Sequence, residues 1–367
     1  MINDISSPLN STPTLEELGW CPALAAAYRP HADHCIPGRV GLENRGCYLV
    51  LTARGELQAR VTGKFMHEAV KRLDYPALGD WVVLSMVDAH DEAVIHGILP
   101  RFSKFSRQAA GKVTEEQVAA ANVDLVFLCL GLDGDYNIRR LERYLVMAWE
   151  SGAFPVVVLT KADLCPDLPA RLSEAASIAA GADIIAVSGL DGQGLEALRG
   201  YLVTGKTGVL LGSSGVGKST LINELFGKEV QTTNAVRAAD SKGRHTTTHR
   251  ELFLLPGGGL LIDTPGMREL QLLQTQEGLE EAFEDIEALA PACRFKDCNH
   301  RREPGCAVQT ALAEGSLRED RYQSYLKLQK EMVFAGQKAA QKSIMLAKAT
   351  RKTVPRQKQT DYATEQT

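Results

Sequence analysis

No apolar run in this sequence approaches the roughly 20 residues that a bilayer-spanning helix needs, so no membrane partner is expected. The opening stretch MINDISSPLNSTPTLEELGW lacks the basic start and apolar core of a secretory leader. Its Ser, Thr, Asn and Pro content reads as a flexible lead-in instead. Charge of one sign is also missing. A net charge of −4 over 367 residues gives no global basic signal for nucleic acid, so local clusters must carry any such signal. Cysteine is too sparse for a disulfide framework: there are eight, and Cys21, Cys35, Cys47, Cys129 and Cys165 are scattered. Cys129 falls in an apolar run and reads as core. The usage suits a reducing, cytoplasmic setting. No internal repeat has a solenoid period.

What remains is ordinary globular composition, 44% hydrophobic and 23% charged, in a chain long enough for two or three domains. Residues 1–34 form the lead-in. Over 35–110, short strand-like runs such as GCYLVLT and GDWVVLSMV are separated by Gly, Asn and Asp. About five strands in about 70 residues suit an all-β barrel of the OB type, with an SH3-like barrel the neighbouring alternative. RFSKFSRQAAGK (101–112) is basic and reads as a linker. Over 115–277 the pattern changes to continuous Val/Ile/Leu strands alternating with helical stretches, which predicts a parallel α/β sheet covered on both faces. Residues 278–340 read as mostly helical around a Cys-rich stretch. Residues 341–367 form a tail. From 327 to 358 there are nine Lys or Arg and one acid, Glu331.

GSSGVGKS fits G-x-x-x-x-G-K-[ST], with the strand GVLLG before it and the helix STLINELFG after it. Gly212, Gly215 and Gly217 let the backbone curl around an anion, and the amides of Gly212, Ser213, Ser214, Gly215, Val216, Gly217, Lys218, Ser219 and Thr220 can line it. Lys218 can reach the β- and γ-phosphates and Ser219 can bind Mg²⁺. DTPG (263–266) closes an apolar strand about 45 residues later, where Asp263 can hold Mg²⁺ through water and Gly266 can donate to the γ-phosphate. Alone, DTPG is also a good turn.

TKAD, comprising Thr160, Lys161, Ala162 and Asp163, ends the strand PVVVL. An Asp there can accept two hydrogen bonds from guanine and reject adenine, which lacks both donors. Thr160 stands where many GTPases carry Asn. One strand–helix unit later, Ser188 and Gly189 of AVSGL can bring a backbone N–H to guanine O6. Base motifs therefore precede phosphate motifs, the reverse of the common order. A parallel sheet needs each loop at the right strand end and not a particular starting point, so the arrangement predicts a circularly permuted GTPase domain. A P-loop ATPase or kinase is disfavoured by TKAD and SGL.

RAADSKGRHTTTHREL (237–252) has the composition of a switch segment, with Thr247 the expected Mg²⁺ and γ-phosphate ligand and Thr246 and Thr248 beside it. Met267 occupies the place of the usual water-orienting Gln. A thioether positions water poorly, so intrinsic turnover should be slow, with His245 or His249 or a partner supplying the group. Cys293, Cys298, His300 and Cys306 form C-x₄-C-x-H-x₅-C, a donor set suited to one structural, tetrahedral Zn²⁺. Arg294, Lys296, Arg301 and Arg302 lie between them and suit an RNA backbone.

The order TKAD, SGL, GSSGVGKST, GRHTTT, DTPG and the Cys–His run resembles the bacterial ribosome small-subunit-dependent GTPase A family over about residues 35–330. The resemblance implies an OB-type barrel, a permuted GTPase domain and a zinc domain. It implies GTP binding by Thr160–Asp163 and Gly212–Thr220, and zinc binding by the four cluster residues. It also implies a cytoplasmic factor in late maturation of the small (30S) ribosomal subunit that contacts rRNA and is stimulated by that subunit. We expect a monomer. Two other readings stay open at this level: an RNA-binding assembly chaperone in which GTP only sets affinity, and a permuted GTPase of the large subunit or another RNA.

Overall fold

A computed structural model describes residues 12–44, 46–87, 92–108, 116–228, 251–263, 276–334 and 337. Five strands and one short helix build the first unit: β1 (Ile36–Asn44), β2 (Cys47–Thr52), β3 (Gly55–Val61), α2 (Gly63–Glu68), β4 (Trp81–Met86) and β5 (Glu92–Ile98). The strands lie in the order β1-β2-β3-β5-β4, and β4 returns to pair with β1, so the sheet closes. Only β3 and β5 run parallel. Alternation along the strands turns Val40, Val50, Leu57, Val82, Leu84 and Ile95 inward, and these fill the barrel. This is the OB-type barrel, not the SH3-like alternative.

The second unit holds β8 (Leu125–Gly131), α3 (Ile138–Ser151), β9 (Phe154–Thr160), α4 (Leu168–Ala176), β10 (Asp183–Val187), α5 (Leu195–Tyr201), β11 (Thr207–Gly212), α6 (Lys218–Phe226), β12 (Glu251–Leu254) and β13 (Leu260–Asp263). The spatial order is β10-β9-β8-β11-β13-β12, all parallel except β12. Every residue of β8 and β11 is buried, which is why both read as unbroken apolar runs. Strand β11 is central, with chain-earlier β8 on one side and chain-later β13 on the other. A chain opened at β11 would run β11, β12, β13 and then β8, β9, β10, which is the permutation expected from the motif order. One pairing, Leu42 with Glu251, joins β12 to β1 and makes barrel and α/β sheet continuous.

Two expectations are corrected. The stretch 101–112 is not a plain linker: β6 (Lys104–Gln108) pairs antiparallel with β7 (Glu116–Ala121). Phe105 is fully buried there and anchors the hairpin. The lead-in is not loose over its described part either. Leu18 and Leu24, the latter in α1 (Pro22–Tyr28), are buried in the main core, and Trp20 packs edge-on to Trp81. Residues 1–11 lie outside the described residues, as does the whole of the tail 341–367.

The C-terminal unit comprises α7 (Gln276–Ala282), α8 (Glu284–Glu287), α9 (Ala307–Glu314) and a helix α10 over 319–334. It packs on α3. Glu142 of α3 is fully buried and accepts hydrogen bonds from Arg139, from Arg321 at 3.2 Å and from Ser324. Arg321 in turn meets Asp285 at 2.8 Å and stacks over Phe283. Among the described residues no helix is long and apolar enough to cross a membrane.

Candidate functional site

The sequence motifs converge because parallel strands deliver their following loops to one sheet edge. Gly131, Thr160, Val187, Gly212 and Asp263 end β8, β9, β10, β11 and β13 in turn. The edge between β8 and β11 is the switch point of the sheet, where ligands of such folds bind.

After β11 the chain turns as Gly212 requires: a Cβ there would lie 2.7 Å from the Cys129 carbonyl. Gly217, at φ +102°, caps α6 in a conformation that side chains avoid. Val216 is buried beneath the loop, while Ser214 and Gly215 are exposed. Lys218 bends back over the loop and donates to the carbonyls of Gly212 (2.8 Å) and Ser213 (2.6 Å). Its ammonium is therefore held at the loop mouth. Ser219 and Thr220 begin α6 half-buried.

Across the edge, the Thr160 hydroxyl donates to the Val216 carbonyl at 2.6 Å, with the Leu130 carbonyl 3.1 Å away. The residue that replaces the usual Asn thus ties the base-reading strand to the phosphate loop. Ala162 is buried and Asp163 is exposed. The Ser188 hydroxyl donates to Asp163 at 2.7 Å and fixes the carboxylate at the rim. Ser188's own N–H is committed to the Gln193 carbonyl at 2.9 Å. Gly189 lets the loop close on Thr220, whose methyl would sit 2.7 Å from a Cβ there. Asp263, half-buried, closes β13 beside these loops. His245, Thr247, Gly266 and Met267 lie outside the described residues.

The four Cys–His donors form a second constellation at the far end of the chain. Their ligand atoms all lie within 4.8 Å of one another. Cys293 Sγ and Cys306 Sγ are 3.9 Å apart, and His300 Nδ1 lies 3.5 and 3.6 Å from them. A tetrahedron with Zn–S about 2.3 Å and Zn–N about 2.05 Å has edges of about 3.8 and 3.6 Å, so the set could hold a zinc ion. His300 is oriented from behind, its carbonyl accepting from Gln309 at 2.6 Å and from the Tyr322 hydroxyl at 2.5 Å. Glu303 accepts its own backbone N–H and those of Arg302, Arg301 and Asn299, which together outweigh burial and pull its carboxyl down to about 2. Arg294, Lys296, Arg301 and Arg302 are all exposed around this loop.

A family model described as RsgA GTPase matches residues 98–273. A protein of Opitutus terrae, "Small ribosomal subunit biogenesis GTPase RsgA", is 49% identical over 335 residues, spanning 89% of this chain and 91% of that one. The chain belongs to the RsgA GTPase family. A Lactiplantibacillus plantarum protein of the same family, "Small ribosomal subunit biogenesis GTPase RsgA 2", is 49% identical over 301 residues, 82% of this chain and 84% of its own. Among solved structures, YjeQ from Thermotoga maritima superposes with a TM-score of 0.62 at 28% identity, covering 82% of this chain and 99% of that one. YloQ, described as a circularly permuted GTPase, gives 0.61 at 25% identity over 83% of this chain and 97% of that one.

One network at this sheet edge lies outside the sequence motifs. Between β8 and α3, Asp133 pairs with Lys161 at 2.5 Å. Asp135 accepts from Ser213 at 2.6 Å and pairs with Arg140 at 2.6 Å. The available signal was GLDGD, two acids directly after an apolar strand.

Proposed function

We propose that this chain is a GTP hydrolase that serves late maturation of the small (30S) ribosomal subunit, binding its rRNA and stimulated by it. The observation that carries the reading is the Thr160–Val216 hydrogen bond at 2.6 Å, which joins a base-reading motif to a phosphate loop at one sheet edge. The names borne by the relatives at 49% identity supply the ribosomal setting.

In this reading Gly212–Thr220 wraps the phosphates. Lys218 exchanges its two loop carbonyls for β- and γ-phosphate oxygens, and Ser219 with Asp263 takes Mg²⁺. Asp163, held by Ser188, pairs with guanine N1 and the exocyclic amine, while Lys161 lies along the base. Thr247, Gly266 and His245 are assigned to the switch and to water by sequence. Zn²⁺ in the Cys293, Cys298, His300 and Cys306 set stiffens a loop whose exposed cations meet RNA phosphates. We assign the barrel to 35–110, the GTPase unit to 115–277 and the zinc unit to 278–340, acting as a cytoplasmic monomer.

Asp163→Asn tests the base assignment. It should weaken GTP binding by at least about tenfold and favour xanthine nucleotide, because the amide offers a donor where guanine also donates. Unchanged GTP preference would remove TKAD from the base site. Ser219→Ala should abolish Mg²⁺-dependent hydrolysis.

A further inference from the structure

The loop from Gly131 to Asn137 touches both TKAD and the phosphate loop through two carboxylates. The backbone is built for this. Leu132 N–H donates to the Thr160 carbonyl at 2.9 Å, which pins the loop to the end of β9. A Cβ at Gly131 would lie 2.9 Å from Asp133 Oδ1, so glycine leaves the space that carboxylate fills. Asp133 Oδ1 accepts the Asp135 N–H at 3.0 Å, which fixes one acid against the other.

Each carboxylate then reaches a different motif. Asp133 Oδ2 holds the Lys161 ammonium at 2.5 Å, and Lys161 stands at φ +57°, so its direction is set by both backbone and partner. Burial alone would raise the Asp133 pKa, but Lys161 and the Asp135 N–H outweigh it and the net shift is downward. Asp135 accepts from the Ser213 hydroxyl at 2.6 Å and takes Arg140 through its two terminal guanidinium nitrogens, at 2.6 and 3.0 Å. Arg140 also donates to Ser213 at 3.0 Å, closing a three-membered network on the second residue of the phosphate loop.

We propose that Asp133 and Asp135 are positioning residues for nucleotide turnover: Asp133 sets Lys161 for the nucleoside, and Asp135 with Arg140 sets the phosphate loop for the reacting phosphate. The inference rests on the GTP-site reading above. Magnitudes favour a functional over a stabilising role. The side chains of Asp133 and Asp135 are 27% and 47% exposed, and ion pairs at that exposure contribute little to folding.

The test uses the full chain with fluorescent GDP titration, GTP turnover and thermal melting. Asp133→Asn should weaken GDP and raise the GTP KM by the same factor, about tenfold, with kcat within about twofold, since it removes binding shared by ground and transition states. Asp133→Glu should bring KM part of the way back. Asp135→Asn should lower kcat by about tenfold, with a smaller loss of GDP affinity. Both variants should melt with the unaltered protein. Equal changes in KM and kcat for both variants, or a clearly lower melting temperature, would make the loop a scaffold and overturn the proposal. Tighter binding by either variant would mean that its carboxylate competes with nucleotide, and no change would mean that it does nothing. If the unaltered protein binds no guanine nucleotide, the GTP-site reading itself fails.

Discussion

Thr160→Val removes one hydroxyl and almost no volume, from a side chain that is 2% exposed. Its hydrogen bond to Val216 is the contact between base strand and phosphate loop, at 2.6 Å. Without it the Val216 carbonyl faces a methyl group. Leaving a buried acceptor unsatisfied costs about 1–3 kcal/mol. Were the whole cost borne by the bound state, affinity would fall by about 5- to 150-fold, since about 1.4 kcal/mol is tenfold. Part of it will fall on the empty fold, because the bond is present there too. We therefore expect GDP and GTP to bind about tenfold more weakly, with a melting midpoint lowered by no more than a few degrees. Titration of fluorescent GDP, with a melting curve on the same sample, reads both. Affinity within twofold of the unaltered protein alongside a clear loss of stability would mean that the hydroxyl braces the fold and not the nucleotide site.

Other outcomes follow from the same contacts. Glu142→Ala should leave Arg321 short of a buried partner at a cost of about 3–5 kcal/mol, read as faster hydrogen exchange in α10 (319–334); unchanged protection would show that the network does not hold that helix. The purified chain should carry one zinc per molecule by elemental analysis, and Cys306→Ala should lose it while GDP affinity stays within about twofold; retained zinc would move the site elsewhere. Raising salt from about 50 to 200 mM should weaken rRNA-fragment binding by more than tenfold if several of Arg294, Lys296, Arg301 and Arg302 meet phosphates; a flat response would exclude that surface.

The α/β unit was legible because its signals are redundant. Buried parallel strands read as unbroken apolar runs, and each motif sits where a strand ends. The barrel was legible as alternation with turn residues, but its closure depended on the β3–β5 and β1–β4 pairings, which no local pattern encodes. The pairing of β6 with β7 is not legible because KFSRQ is short and basic, and only the burial of Phe105 reveals its place. The lead-in looked loose by composition, yet Leu18 and Trp20 find a groove made by elements distant in sequence. The two carboxylates of GLDGD were overlooked for a similar reason. Their partners, Lys161 and Ser213, lie far along the chain and become neighbours only when the strands align.

GTP turnover at this sheet edge under the control of the small ribosomal subunit is the proposal most open to a direct test. The direct measurement is GTP and ATP turnover by the purified chain, alone and with small or large subunits, at low and high salt. The account predicts slow intrinsic GTP turnover, strong GTP-selective stimulation by small subunits, and loss of that stimulation as salt rises. Stimulation by large subunits instead, or turnover that neither subunit changes, would contradict it.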